Sequence, residues 1–402
     1  MQDRYVGDVE LELLLALARW PQRDADRVLI RELCARQPDW LRFVELVKHH
    51  RVLPVVTHNL QRELAGSENP ATEQVVEELR RFAAASAMSS LRLLSELKRV
   101  LVALEAGGVH ARILKGLPLA QTVFGDVSLR APGDIDLLID PQQIVPADRV
   151  LKALGYTGLF EPERFSSRQL AYYRRHWKDV TYTNRNGGNE LDLHWRCFRN
   201  PAMPGAGLCA NSAAEIVNFG GLRVETLPSR EGLLYLCVHG VLDGWVYLKP
   251  LVDVAAQVRG MTAQELDPLA ELAEHHGILP ELSATLLLVR RWLAMDAWSS
   301  RLLPETDPTV RHILRYVEQT LEERGFMASR EEVPILTTLR FEWGLRRTWQ
   351  YRREVVQRVL YRARMWETIP LPDWLFWAYP LLSPLEWVLF RIRRRRARGA
   401  NV

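Results

Sequence analysis

Apolar residues recur at intervals of three and four through "DVELELLLALARW", "DWLRFVELVKHHRVLPVVTHNLQREL" and "ATEQVVEELRRFAAASAMSSLRLLSELKRVLVALEAGG". That spacing collects them on one face of a helix, so residues 8–106 read as helical. Asp39, directly after Pro38, is placed to cap the second stretch. Gly107 and Gly108 stop the third, because glycine accepts the left-handed backbone of helix ends. The period then changes. "HARILKG" reads as a short strand, "LPLAQTVFG" as a helix, "DIDLLID" as a strand and "PQQIVPADRVLKALGY" as a helix closed by glycine. "KDVTYTNRNGGNELDLHW" alternates on both sides of a turn rich in Asn and Gly, a hairpin signal. From Ser229 to about Glu323 the helical spacing returns, in "REGLLYLCVHGVLDGWVYLKPLVDVAAQV" and "ELSATLLLVRRWLAM". The pattern predicts an α+β chain. A small mixed-sheet core at 109–227 is expected between helical regions at 1–108 and 228–335, with an Arg/Trp-rich segment at 336–402.

Composition changes this picture only at the C-terminus. With 402 residues, 48% hydrophobic and 25% charged, the chain has the make-up of a globular protein with a large core. Its net charge of +4 hides an asymmetry: from Arg340 onward there are fourteen arginines against five acids. The basic character therefore belongs to the last sixth. Cys34, Cys197, Cys209 and Cys237 show no C-x-x-C pair and no zinc-like spacing, so reduced, partly buried thiols are expected. The N-terminal apolar run follows acidic rather than basic residues and lacks a small-residue cleavage site, which argues against a signal peptide. No uninterrupted apolar run reaches the length of a membrane span. A cytoplasmic protein is the expectation.

The chemistry lies in the carboxylates. Strand side chains alternate faces, so Asp134 and Asp136 share one face while Ile135 and Leu137 turn to the core. In "NELDLHW", Glu190, Asp192 and His194 share a face opposite Leu191, Leu193 and Trp195. If the hairpin lies beside the D-I-D strand, a third carboxylate joins the first two. Clustered carboxylates call for a proton or a cation between them. Magnesium suits an all-oxygen site that keeps room for phosphate oxygens, and two such ions can stabilise both ends of a phosphoryl displacement. Asp-x-Asp alone occurs often by chance. The preceding "LKG", the intervening helix, the aliphatic flanks and the later "LDL" are what strengthen the reading.

Lys115-Gly116, a helix, then "RAPGDIDLLI" and "ELDLHW" resemble the nucleotidyltransferase superfamily that includes DNA polymerase β, and within it a poorly characterised bacterial branch. "HHRVLPVVTHNL", "HGVLDGWVYLKPLVDV" and the tail "PLPDWLFWAYPLLSPLEWVLFRIRR" are similar to that branch too, so the likeness runs along nearly the whole chain. The resemblance implies that Asp134, Asp136 and Asp192 hold two Mg2+ ions, with Asp192 helping to orient or deprotonate an acceptor hydroxyl. It implies that Gly116 brings backbone N–H groups close to the triphosphate. The donor implied is an NTP, ATP first, and the acceptor a small molecule or peptide, in polysaccharide or peptide natural-product biosynthesis. The sequence departs from the superfamily in its first loop. Gly116-Leu117-Pro118 replaces Gly-Gly or Gly-Ser, and Pro118 offers no N–H. Eighteen positions separate Gly116 from Asp134, which is longer than usual.

Lys115 and Arg130 flank the D-I-D strand and are candidate phosphate contacts, since arginine can grip two phosphate oxygens at once. Arg130 could instead pair with Asp126 or Asp134. Lys249, four residues before Asp253, is a weaker candidate for phosphate, and Pro250 is expected to interrupt helical bonding there. His239 reads first as a core histidine. His194, on the face of Asp192, reads as a neighbour of the site or as packing. In the tail, the aromatics are expected to dock onto the protein's own helical region and "RRRR" to meet solvent. Peripheral contact with an anionic membrane is the alternative. No specific nucleic-acid partner is expected, because a basic tail alone gives only salt-sensitive attraction. The competing functional class is a non-catalytic nucleotide-binding or scaffolding protein.

Overall fold

The structure is a computed structural model that describes residues 7–64, 70–131, 133–184, 190–210, 212–327, 332–361 and 363–383. Its fold is α+β, with one mixed sheet between helical regions. The strands are β1 (Ala111–Ile113), β2 (Asp134–Ile139), β3 (Tyr156–Gly158), β4 (Asp179–Asn184), β5 (Glu190–His194), β6 (Glu215–Phe219) and β7 (Leu222–Thr226). They run in the order β3-β4-β5-β2-β1-β7-β6. The pairings of β2 with β5 and of β1 with β7 are parallel; the others are antiparallel.

Each face of the sheet has its own core. Ile113, Ile135, Leu137, Ile139, Leu191 and Leu193 pack against Leu97, Val100 and Leu104 of the Pro70–Ala106 helix and against Ile144, Ala147 and Leu151 of the Ile144–Ala153 helix. Leu191 and Leu193 are fully buried, and each such burial stabilises the fold by about 1.5–3 kcal/mol. On the opposite face, Leu114 and Leu138 join a second core with Leu233, Leu234 and Tyr235 of the Ser229–Asp243 helix. The N-terminal helices belong to this second core. Their attachment includes a buried ion pair in which Asp26 meets Arg259, and Asp26 also accepts from Arg19 at 2.8 Å.

Most predicted elements are present. Asp39 caps the Trp40–His49 helix through Leu41 and Arg42 N–H groups. The 70–106 stretch is a single helix of 37 residues. Residues 117–124 are not one regular helix: a single α turn (Leu117–Leu119) passes into a π turn (Ala120–Phe124). The Ser167–His176 helix and strands β3, β6 and β7 were not foreseen. Pro250 does not interrupt a helix. It sits in the first turn of Leu248–Val258, where its missing N–H would have had no intrahelical partner.

Two further expectations are corrected. Cys197 and Cys209 form a disulfide with Cα atoms 5.8 Å apart, leaving Cys34 and Cys237 as free thiols. The loop after β5 and the short Gly207–Ala210 helix bring the two together, which no spacing rule revealed. In the 336–402 segment Phe341 and Tyr351 dock on the helical core as expected, whereas the later aromatics dock on the sheet region instead. Trp366, Phe376 and Tyr379 are buried in the sheet's inner core, where Trp366 meets Phe165, Tyr172, Tyr173 and Trp177 edge-on. Trp349, Trp374 and Trp377 remain exposed. The RRRR run lies outside the described residues. Among the described residues, no helix is long and apolar enough to cross a membrane.

Candidate active site

Parallel pairing of β2 with β5 sets Asp136 directly opposite Asp192, Asp134 opposite Glu190, and Leu138 opposite His194. The leucines and isoleucine between them fix this phase, because they must face the inner core. The acids consequently face the Ser229–Asp243 helix. One ligand atom each from Asp136, Asp192 and His194 lies within 4.8 Å of the other two. His194 Nε2 is 3.3 Å from Asp136 Oδ1. Asp134 stands two residues along the same strand face, with a side chain 37% exposed. Lys115, just beyond β1, reaches between the first two acids, 3.0 Å from Asp136 Oδ2 and 3.8 Å from Asp134 Oδ2. Gly116 then turns the chain with φ +91°. That backbone is open to glycine, and an added Cβ would be 3.8 Å from the Asp134 carbonyl.

Arg130 feels the charges of Asp134 and Asp136, but among the described residues its ion pair is with Asp253 and not with this cluster or Asp126. Its guanidinium grips both carboxylate oxygens of Asp253, at 2.8 and 2.9 Å, in a buried pair. Lys249 donates to the Ala131 carbonyl. Both cations therefore fasten the loop that leads into β2 onto the Leu248–Val258 helix. Beside Lys115 opens a cavity of about 360 Å3. Its walls are mixed, with Pro118, Leu119 and Leu233 beside Glu215, Arg230 and Glu265.

A family model described as "uncharacterised nucleotidyltransferase" matches residues 36–294, more than half of the chain. The chain belongs to that nucleotidyltransferase family. No curated protein and no solved structure matches it. The matched span contains the whole sheet, the acidic cluster and the helix facing it.

Within this nucleotidyltransferase, the site acids are driven in opposite directions. Burial pushes Asp136 up, but the Lys115 ammonium and His194 outweigh it and hold its carboxyl well below the usual range. Asp192 is raised, by burial first and by the charges of Asp136 and Asp179, against the opposing hydrogen bond from Thr181 Oγ1 at 2.6 Å. Lys115 is lowered by burial yet raised overall by Asp136 and Asp134, so it stays an ammonium. Carboxylates pushed apart in this way suit a pair in which one remains a fixed anion and the other exchanges a proton.

Several neighbours escaped the sequence reading. Asp179 pairs across β4–β5 with His194 and lies 3.9 Å from its Nδ1. Burial raises the Asp179 carboxyl, and Lys178, 2.6 Å away, with His194 brings it below its ordinary value. Tyr235, His239 and Asp243 recur every four residues on one face of the Ser229–Asp243 helix. His239 is not simply a core histidine: its Nδ1 is 3.3 Å from Asp243. Burial drives its pKa down to about 4; Asp243 opposes that, and Lys115 and Lys178 add to it. The Tyr235 hydroxyl is fully buried without a hydrogen-bond partner among the described residues and feels the charges of Lys115, Asp136 and Asp179. The helical period of that segment was legible; which face met the acids was not.

Proposed function

We propose that this chain is a metal-dependent enzyme that moves a nucleoside monophosphate from an NTP, ATP first, to an acceptor hydroxyl and releases pyrophosphate. The observation that carries the reading is the Asp136–Asp192 pair, side by side in adjacent strands with proton affinities driven apart. The residues fit a divalent cation. The donors are two carboxylates and an imidazole, Asp136 and His194 buried and Asp192 half-buried, and the nearby Tyr235 hydroxyl has no hydrogen-bond partner among the described residues. When bound, Mg2+, with two ions expected, would neutralise phosphate charge and favour in-line displacement at the α-phosphorus.

The chain's own groups supply the rest. Asp136 and Asp192 would hold the cation, with Asp134 as the further carboxylate. Asp192, whose raised proton affinity suits a base, would accept the acceptor's hydroxyl proton. Lys115 would offer its ammonium to the phosphate chain, beside the Gly116 turn. Arg130 and Lys249 act in this reading by holding the loop before Asp134, since Arg130 is committed to Asp253. The cavity beside Lys115 would receive the apolar part of the acceptor, a small molecule or peptide. A cytoplasmic place and peripheral membrane contact through the exposed tryptophans complete the proposal.

Calorimetry of ATP binding with and without Mg2+ tests it, comparing wild type with Asp136→Asn. Binding should require Mg2+ and fall at least about tenfold in the variant, given that each fixed charge of this kind is worth a few kcal/mol. Equal binding by both proteins would overturn the reading. Pyrophosphate release on adding cell extract, lost in Asp192→Asn, separates an enzyme from a scaffold.

A further inference from the structure

Of the three donors that come together, one is a nitrogen. His194 is 1% exposed and its Nε2 lies 3.3 Å from Asp136 Oδ1. Two ligands at right angles about 2.1 Å from one metal ion stand about 3 Å apart, so this spacing suits neighbouring positions on a single ion. The other ring nitrogen, Nδ1, is buried without a hydrogen bond among the described residues and faces Asp179 Oδ2 at 3.9 Å. Metal-bound histidines characteristically aim their second nitrogen at a carboxylate, which orients the ring. Asp134, by contrast, is outside the group of three and is tied to Lys115. A second observation lies beside the same cluster: the buried Tyr235 hydroxyl, without a hydrogen-bond partner among the described residues, feels the charges of Lys115, Asp136 and Asp179.

We propose that Asp136, Asp192 and His194 form a mixed oxygen–nitrogen position for one of the two divalent ions of that site, preferring an ion of the Mn2+ type over Mg2+, with Asp179 orienting the imidazole. The inference rests on the metal-dependent reading above and deepens it by naming the ligand set and the kind of ion. Magnesium favours oxygen ligands and keeps its waters. An imidazole shifts preference toward first-row transition ions, and two carboxylates with open positions for water and phosphate favour Mn2+ among those. His194 thus becomes a ligand, and Asp179 a positioning residue.

Protein stripped with EDTA is titrated with MnCl2 alone and with MgCl2 alone, followed by loss of the free Mn2+ electron-paramagnetic signal and by calorimetry. Wild type is expected to bind Mn2+ at least about tenfold more tightly than Mg2+. Pulsed spectra of the bound Mn2+ should show coupling to a nitrogen nucleus. His194→Gln should abolish that coupling and weaken Mn2+ binding by about 10–100-fold, with a smaller change for Mg2+. Asp179→Asn should keep the coupling and weaken binding. Bound Mn2+ without nitrogen coupling in wild type overturns the inference and leaves the carboxylate site standing, a result that needs no variant to fold. Binding of both ions that is unchanged in Asp136→Asn and Asp192→Asn overturns the metal-dependent reading itself.

Discussion

Consider the effect of replacing Asp253 with leucine. Arg130 and Asp253 are 7% and 2% exposed and joined by two hydrogen bonds, so the substitution leaves a buried guanidinium without its direct partner. Removing one partner of such a pair costs about 3–5 kcal/mol, because the remaining charge loses its compensation without regaining water. That is a large part of the roughly 5–15 kcal/mol that holds most folds together. Replacing both partners, as in Arg130→Met with Asp253→Leu, removes the stranded charge and should recover most of the loss. Urea unfolding of wild type, both single variants and the double variant, followed by tryptophan fluorescence and circular dichroism together, measures the cycle. The single Asp253→Leu should be the least stable of the four or share that place with Arg130→Met. A double variant as unstable as Asp253→Leu, or a single loss under about 1 kcal/mol, would refute the argument. The pair also anchors the loop entering β2, so Asp253→Leu should weaken the Mg2+-dependent ATP binding proposed above more than the double variant does.

Three other outcomes are expected. Gly116→Ala should lower stability by about 1–3 kcal/mol through its φ of +91° alone, since the added Cβ meets only an ordinary contact; thermal unfolding reads it, and an unchanged midpoint would count against the strained turn. Burial first, and then the Arg130 charge, lower Lys249 from its ordinary 10.5 to about 7. Between about pH 7 and 10 the unfolded chain therefore holds a proton the folded one lacks. Stability from this group is complete above the unfolded value and is lost as pH falls toward 7. Urea midpoints across that range should rise with pH in wild type more steeply than in Lys249→Met. Finally, burial pushes Cys34 up to about 11 and Cys237 to about 12, so neither should react quickly with a thiol reagent at pH 8. Denatured, unreduced protein should yield two thiols and reduced protein four, and four without reduction would remove the Cys197–Cys209 bond.

Local pattern carried the sequence reading as far as local physics reaches. Alternation and the Asn/Gly turn located β4 and β5, and aliphatic flanks located β2 with its acids pointing away from the core. Gly220 and Gly221, both with positive φ, join β6 to β7 in a two-residue hairpin. Such a Gly-Gly pair is a local hairpin signal legible in the sequence. What could not be read were relations between distant segments. Arg130 and Asp253 are 123 positions apart, and nothing near either names the other. Asp179 gains meaning only once antiparallel pairing sets it against His194, and Tyr235 only once its helix lies across the sheet. The departure in the first loop was visible, but not that Lys115 would sit between two acids.

The match of Asp136 to Asp192 has a consequence for how damage to this protein would look. The core sees only whether a residue number is odd or even, so sliding β5 by two places along β2, about 6.6 Å, would leave Leu191 or Leu193 still facing inward. The same slide would part the two acids and scatter the donors. A folded variant could thus be chemically silent, and an assay of the proposed transfer reaction, rather than of folding, would tell it from the native protein.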